Sequence, residues 1–154
     1  MKSFKDNLGR DWTIAVNVDA IKRVKGLLDV DLRDVVQKDN RLIERLYSDE
    51  LFLCDVAYVL VKPEADAKNI SDEDFGRAMA GDTLEFALAA IMGELSDFFR
   101  KPEQREALRK AIAKLNAFQD KLIAVINQQL DDPALDQELD KLLSQASQRP
   151  ASNA

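Results

Sequence analysis

Histidine is absent from this 154-residue chain, and cysteine occurs once. Without an imidazole the chain lacks the commonest general acid–base group and the commonest metal ligand. A single thiol excludes an intramolecular disulfide. Cys54, set in Leu51-Phe52-Leu53-Cys54-Asp55-Val56-Ala57, reads as a small buried apolar residue with no nearby cation to stabilise a thiolate. Five glycines are too scattered to cradle a phosphate, and no serine sits in a nucleophile elbow. Dense basic clusters are missing too. Lys22, Arg23 and Lys25 are flanked by Asp19, Asp29 and Asp31, and the net charge is −6, which argues against a nucleic-acid partner. No apolar run approaches the roughly 18 residues that span a bilayer. The opening Met1-Lys2-Ser3-Phe4-Lys5-Asp6 has no apolar stretch of the signal-peptide kind. The expectation is a cytoplasmic protein with no membrane segment and no cofactor.

Carboxylates are plentiful, but their placement favours structural roles. Asp72, Glu73 and Asp74 fall at a helix start, where negative charge meets the positive end of the dipole. The alternating ligands, glycine and closing glutamate of a calcium loop are missing there. Asp29 and Asp31 flank Val30 without a partner set. Nothing in the pattern assembles a catalytic group, so the chain reads as a binding protein and not as an enzyme.

With 46% apolar and 32% charged residues, the chain has the composition of a globular domain. Leu, Ala, Lys, Glu and Asp predominate, and the aromatic content is only 6%, which favours helix over strand. The first eighteen residues differ. Around the turn Asp6-Asn7-Leu8-Gly9, the second segment alternates with period two, placing Trp12, Ile14, Val16 and Val18 on one face. A β-hairpin over residues 1–18 is expected, with its apolar face needing cover.

From about Asp19 the period becomes helical. Ile21, Val24, Leu27 and Leu28 form one stripe, capped by Asn17 or Asp19, with Gly26 a candidate early end. A helix from about Ser48 to Val61 should stop at Lys62-Pro63. Ser71 caps a short helix in a weak capping box with Asp74, stapled by Ile70 and Phe75 and ending near Gly81. Asp82 caps the next helix, Thr83 to about Phe99, apolar round much of its circumference and therefore central. Pro102 opens a long helix to about Leu130. Its seam is Leu108, Ala111, Leu115, Phe118, Leu122 and Val125, widened by Ile112, Ile123, Ile126 and Leu130. Spacings of three and four suit helix-on-helix packing within the chain or between chains. Asp132-Pro133 opens a last helix with Leu135, Leu139, Leu142 and Leu143. The fold class is mainly α: an N-terminal hairpin followed by a bundle of about five to seven helices, as one domain over 1–146, with a disordered tail over 147–154.

Two features point to a protein partner. Trp12 is the single tryptophan; core packing is its ordinary role, and an interface anchor its sharper one. The seam of Leu108, Leu115, Phe118, Leu122 and Val125 must be buried on the chain itself, on a second copy in a homo-oligomer, or on another protein.

The opening from Phe4, FKDNLGRDWTIAVNVDAIKRVKGLLDVDL, resembles the tail assembly chaperones encoded in tail gene clusters of bacteriophages and prophages. These show a strand pair with a central Trp, an IKRV helix and a DVDL segment. A later stretch, matched here from Asp74 to Phe99, carries MAGDTLE and closes on EL and FF. The resemblance covers roughly residues 4–99. It implies a non-catalytic chaperone in the host-cell cytoplasm that binds the tape measure protein, keeps it soluble, and helps tail tube protein assemble around it. The alternatives are a structural tail or connector subunit of a phage particle, and a helical adaptor or regulator.

Overall fold

In the computed structural model, which describes residues 1–148, the chain forms a two-stranded antiparallel sheet and seven α-helices. The strands are β1 (Lys2–Lys5) and β2 (Asp11–Ile14). The helices are α1 (Val18–Leu28), α2 (Arg41–Ser48), α3 (Glu50–Ala67), α4 (Asp72–Arg77), α5 (Asp82–Phe98), α6 (Pro102–Leu130) and α7 (Pro133–Ser147). A 3-10 turn, Leu32–Val36, joins α1 to the region of α2. The mainly helical class with an N-terminal hairpin is therefore what the chain adopts. Where one domain over 1–146 was expected, the chain divides into two compact units, Met1–Ala111 and Ile112 onward. Among the described residues Leu108 is the last that is buried, and it belongs to the first unit. Helix α7 reaches Ser147, into the expected disordered tail, and residues 149–154 of that tail lie outside the described residues.

In the first unit, β1 pairs with β2 so that Phe4 faces Trp12 and Lys2 faces Ile14. Phe4, Trp12 and Ile14 are buried, and the hairpin packs on α5 and α3. The strand pattern ends sooner than the alternation suggested. Val16 is half-buried, while Val18 already opens α1 and is exposed, because Asn17 caps that helix by accepting from the Ala20 N–H at 2.9 Å. Inside α1 the buried residues are Ala20, Ile21 and Val24; Leu27 is exposed, and Gly26 does not end the helix.

Between the strands, the turn is organised by Asp6. Its Oδ1 accepts from the Leu8 and Arg10 N–H groups at 2.9 and 3.0 Å, and Gly9 takes φ +78°. That left-handed conformation is open to glycine at little cost. The turn is tied to the α4–α5 connection. Asn7 donates from its backbone to the Ala78 carbonyl, and its Oδ1 accepts from the Thr83 hydroxyl at 2.8 Å.

Helix α3 passes through the stop that Lys62-Pro63 seemed to impose and continues to Ala67. Proline at position 63 offers no N–H to the Val59 carbonyl one turn back. Arg23 of α1 supplies the donor instead: its Nη1 lies 2.9 Å from the Val59 oxygen and 3.2 Å from that of Leu60. A side chain from a different helix thus satisfies the backbone group that the proline strands. At its other end Asp49 caps α3 through the Phe52 N–H, and the Arg45 guanidinium lies 3.7 Å from the Phe52 ring centroid.

Helix α4 begins as expected, with Ser71 accepting from the Asp74 N–H. It ends at Arg77, short of Gly81. The cap of α5 is Gly81 at φ +60°, one residue before the expected Asp82. Phe75 forms the centre of the aromatic core, edge-on to Trp12 at 5.3 Å and tilted against Tyr58 at 5.5 Å. Helix α5 buries Ala87, Leu88, Ala90, Ile91, Met92 and Leu95, but Phe86 and Ala89 lie on an exposed side.

Candidate partner-binding face

The free apolar surface of the second unit lies on α6 and α7. Helix α6 starts with proline at its first position, where a missing N–H costs nothing, and its 29 residues run without interruption. With about 100° per residue, Leu115, Phe118, Leu122, Ile123, Val125, Ile126 and Leu130 fall within an arc of roughly 160°. Phe118 is 63% exposed, Leu122 49% and Val125 49%; Ile123, Ile126 and Leu130 are similar. Helix α7 carries Leu139, Leu142 and Leu143 along one stripe, all about half exposed or more, and buries no residue. The two helices therefore leave each other's apolar stripes open.

Leaving aside the half-covered Leu115, the nine others together present on the order of 900 Å² of apolar surface over the two stripes, against roughly 300–600 Å² in the largest patch on a typical monomer. It also meets the roughly 800 Å² per partner of a standard protein interface.

The six residues singled out from sequence divide in two. Leu115, Phe118, Leu122 and Val125 lie on this face, with Leu115 half-covered. Leu108 is 1% exposed and belongs to the first unit's core, as a correction to its place in the seam. Trp12 is corrected in the same way. It is 0% exposed, its indole N–H donates to Asp6 Oδ2 at 2.8 Å, and Lys68 lies over its ring. A residue so enclosed offers a partner no surface, and its polar atom is already used.

From sequence Lys114 stands out among the charged residues on the polar faces of these helices, but the pairing of basic and acidic borders does not. Lys114 and Lys121 border one side of the α6 face, seven residues apart, whereas Asp136, Glu138 and Asp140 border the α7 stripe. All five are exposed, and none forms an ion pair within the described residues. Helical angles would have shown this once the apolar positions were fixed.

In the first unit, two titratable side chains of α3 are shifted by burial. Burial and then the nearby carboxylates Asp55 and Asp72 push the half-buried Cys54 thiol up to about 11. Burial, then Asp72 and Asp49, also raise Asp55. A thiol so shifted is almost wholly protonated near neutrality. Cys54 should react with a chromogenic disulfide reagent at pH 8 at least roughly tenfold more slowly than in urea-unfolded protein. Equal rates in the two states would contradict the burial on which this rests. Among the described residues no group of three or more Cys, Asp or Glu side chains could hold a metal ion, and no helix is long and apolar enough to cross a membrane.

A groove in the first unit runs between β1 and α5, lined by Lys2, Phe4, Phe86, Ala89 and Gly93. The Lys2 stem lies directly over Gly93. Lysines on an edge strand oppose the addition of a further strand, so the open helical face of the second unit is the stronger binding surface. The chain matches no family model, no curated protein and no solved structure.

Proposed function

We propose that this protein is a non-catalytic assembly chaperone of the phage tail kind, which holds the helical tape measure protein in the host-cell cytoplasm while tail tube protein assembles. The observation that carries the reading is the half-exposed apolar face of α6 and α7. A stripe of aliphatic residues and one phenylalanine at helical spacing is shaped to take another helix, apolar side to apolar side. A long helical client buries its own stripe there and is kept from aggregating. The acidic balance of the chain, −6 overall, keeps such a complex dispersed. The resemblance of residues 4–99 to tail assembly chaperones supplies the identity of the client.

Co-expression with the largest protein encoded beside the gene, followed by size-exclusion chromatography with light scattering, tests this. The expected result is a soluble complex with a partner that is insoluble alone. The double variant Phe118→Asp/Leu122→Asp should weaken that complex by roughly 100-fold or more, since central apolar anchors dominate such interfaces. A partner unaffected by the protein, or a variant that binds as well as the parent, overturns the proposal.

A further inference from the structure

We infer that the open face is covered, before any client arrives, by a second copy of this chain, with α7 of each copy lying on α6 of the other. Helix α7 has 15 residues and buries none of them. Isolated helices of about this length are marginal in water, so its helical form calls for tertiary cover. That cover must be apolar on one stripe and basic beside it, because Leu139, Leu142 and Leu143 are bordered by Asp136, Glu138 and Asp140. Helix α6 has that character: Phe118, Leu122 and Val125 are bordered by Lys114 and Lys121.

Lengths agree as well. At 1.5 Å per residue α7 is about 22 Å long, and the part of α6 beyond Ala111 about 28 Å. One α7 therefore spans most of one exposed α6 stripe. A reciprocal arrangement is isologous and closed, so each copy contributes both stripes and neither stripe remains open to continue the assembly. The apolar area available per copy suffices for an interface of standard size. This inference concerns the chain alone and holds whatever protein the face later accepts. A client helix would have to displace a copy to bind, which keeps the face closed until the client is made.

The test uses the full chain and two charge-reversed forms. Light scattering across a roughly hundredfold concentration range should give a mass of twice 17.3 kDa for the parent, falling toward one chain only on dilution. Lys114→Glu/Lys121→Glu places like charges against the partner's α7. Asp136→Lys/Asp140→Lys does the same against its α6. Each should raise the dimer dissociation constant roughly tenfold or more, through surface residues outside the core. Mixing the two forms should restore the parental affinity as a heterodimer, because each reversed helix then meets its complement. A monomeric parent at every concentration overturns the proposal. So does a dimer that ignores both charge reversals, or a pair of variants that fail to rescue one another, since α7 would then be covered within its own chain or not at all. Fluorescence of Trp12, the only tryptophan, reports that the first unit stays folded in every variant.

Discussion

Replacing Asp6 by Ala is expected to destabilise the protein by about 3 kcal/mol, because it leaves the buried Trp12 indole and the part-buried Leu8 and Arg10 donors without their acceptor. Asp6 is 5% exposed and accepts four hydrogen bonds. Leu8 and Arg10 backbone N–H groups meet Oδ1; the Trp12 indole and Arg10 Nε meet Oδ2 at 2.8 and 2.7 Å. The Trp12 indole has no other acceptor in its buried site. Asp6→Asn should be nearly as damaging as the alanine, although it preserves the shape. An amide has one oxygen, and whichever way it turns its NH₂ faces two donors. Urea unfolding followed by circular dichroism measures both variants. A cost below about 1 kcal/mol for either would show that the turn does not depend on this carboxylate.

The same site sets a pH dependence. Burial works against the charge of Asp6, but the bonds from Trp12, Arg10 and the Leu8 N–H outweigh it and hold the carboxyl below its ordinary value. Asp31 is also held below its ordinary value, at about 2, chiefly by its hydrogen bonds from Arg33. A carboxyl whose pKa falls on folding contributes stability above its unfolded value of 3.8, and loses it as pH drops through the folded value. The parent should therefore lose stability between about pH 4 and pH 2, and the Asp6→Asn variant should lose less over that window.

How far the sequence announced this fold differs from element to element. Ser71 with Asp74, and Pro102 opening α6, act within one turn of chain, so composition alone places them. The strand alternation was legible at Trp12 and Ile14 but misleading at Val16 and Val18, where the Asn17 cap takes over the backbone. The apolar period of α6 reads the same at Leu108 and at Leu122, yet one is buried and the other half exposed. Periodicity states that a stripe will be covered and is silent on what covers it. The polar role of Trp12 was hidden for a related reason. Its partner Asp6 lies six residues back across a turn, and nothing in local spacing distinguishes that carboxylate from the solvated ones around it.

Pro63 is the sharpest instance of a long-range effect overriding a local rule, and it yields a coupled prediction. Arg23→Met keeps the aliphatic stem but removes both donors from the Val59 and Leu60 carbonyls, which belong to residues 5% exposed. An unpaired buried carbonyl should cost about 2 kcal/mol. The ion pair of Arg23 with Asp19 adds little, since Asp19 is exposed. In a Pro63→Ala background, position 63 regains an N–H that can reach the Val59 carbonyl, and the helix no longer needs the arginine. There the cost of Arg23→Met should fall below about 1 kcal/mol, giving a coupling of about 1 kcal/mol or more between residues on different helices. Four unfolding curves complete the cycle. If the arginine costs the same with and without the proline, the guanidinium is not what carries α3 through position 63. If the coupling appears, the sequence pair Arg23 and Pro63 explains why a helix that local rules end at Val61 continues to Ala67.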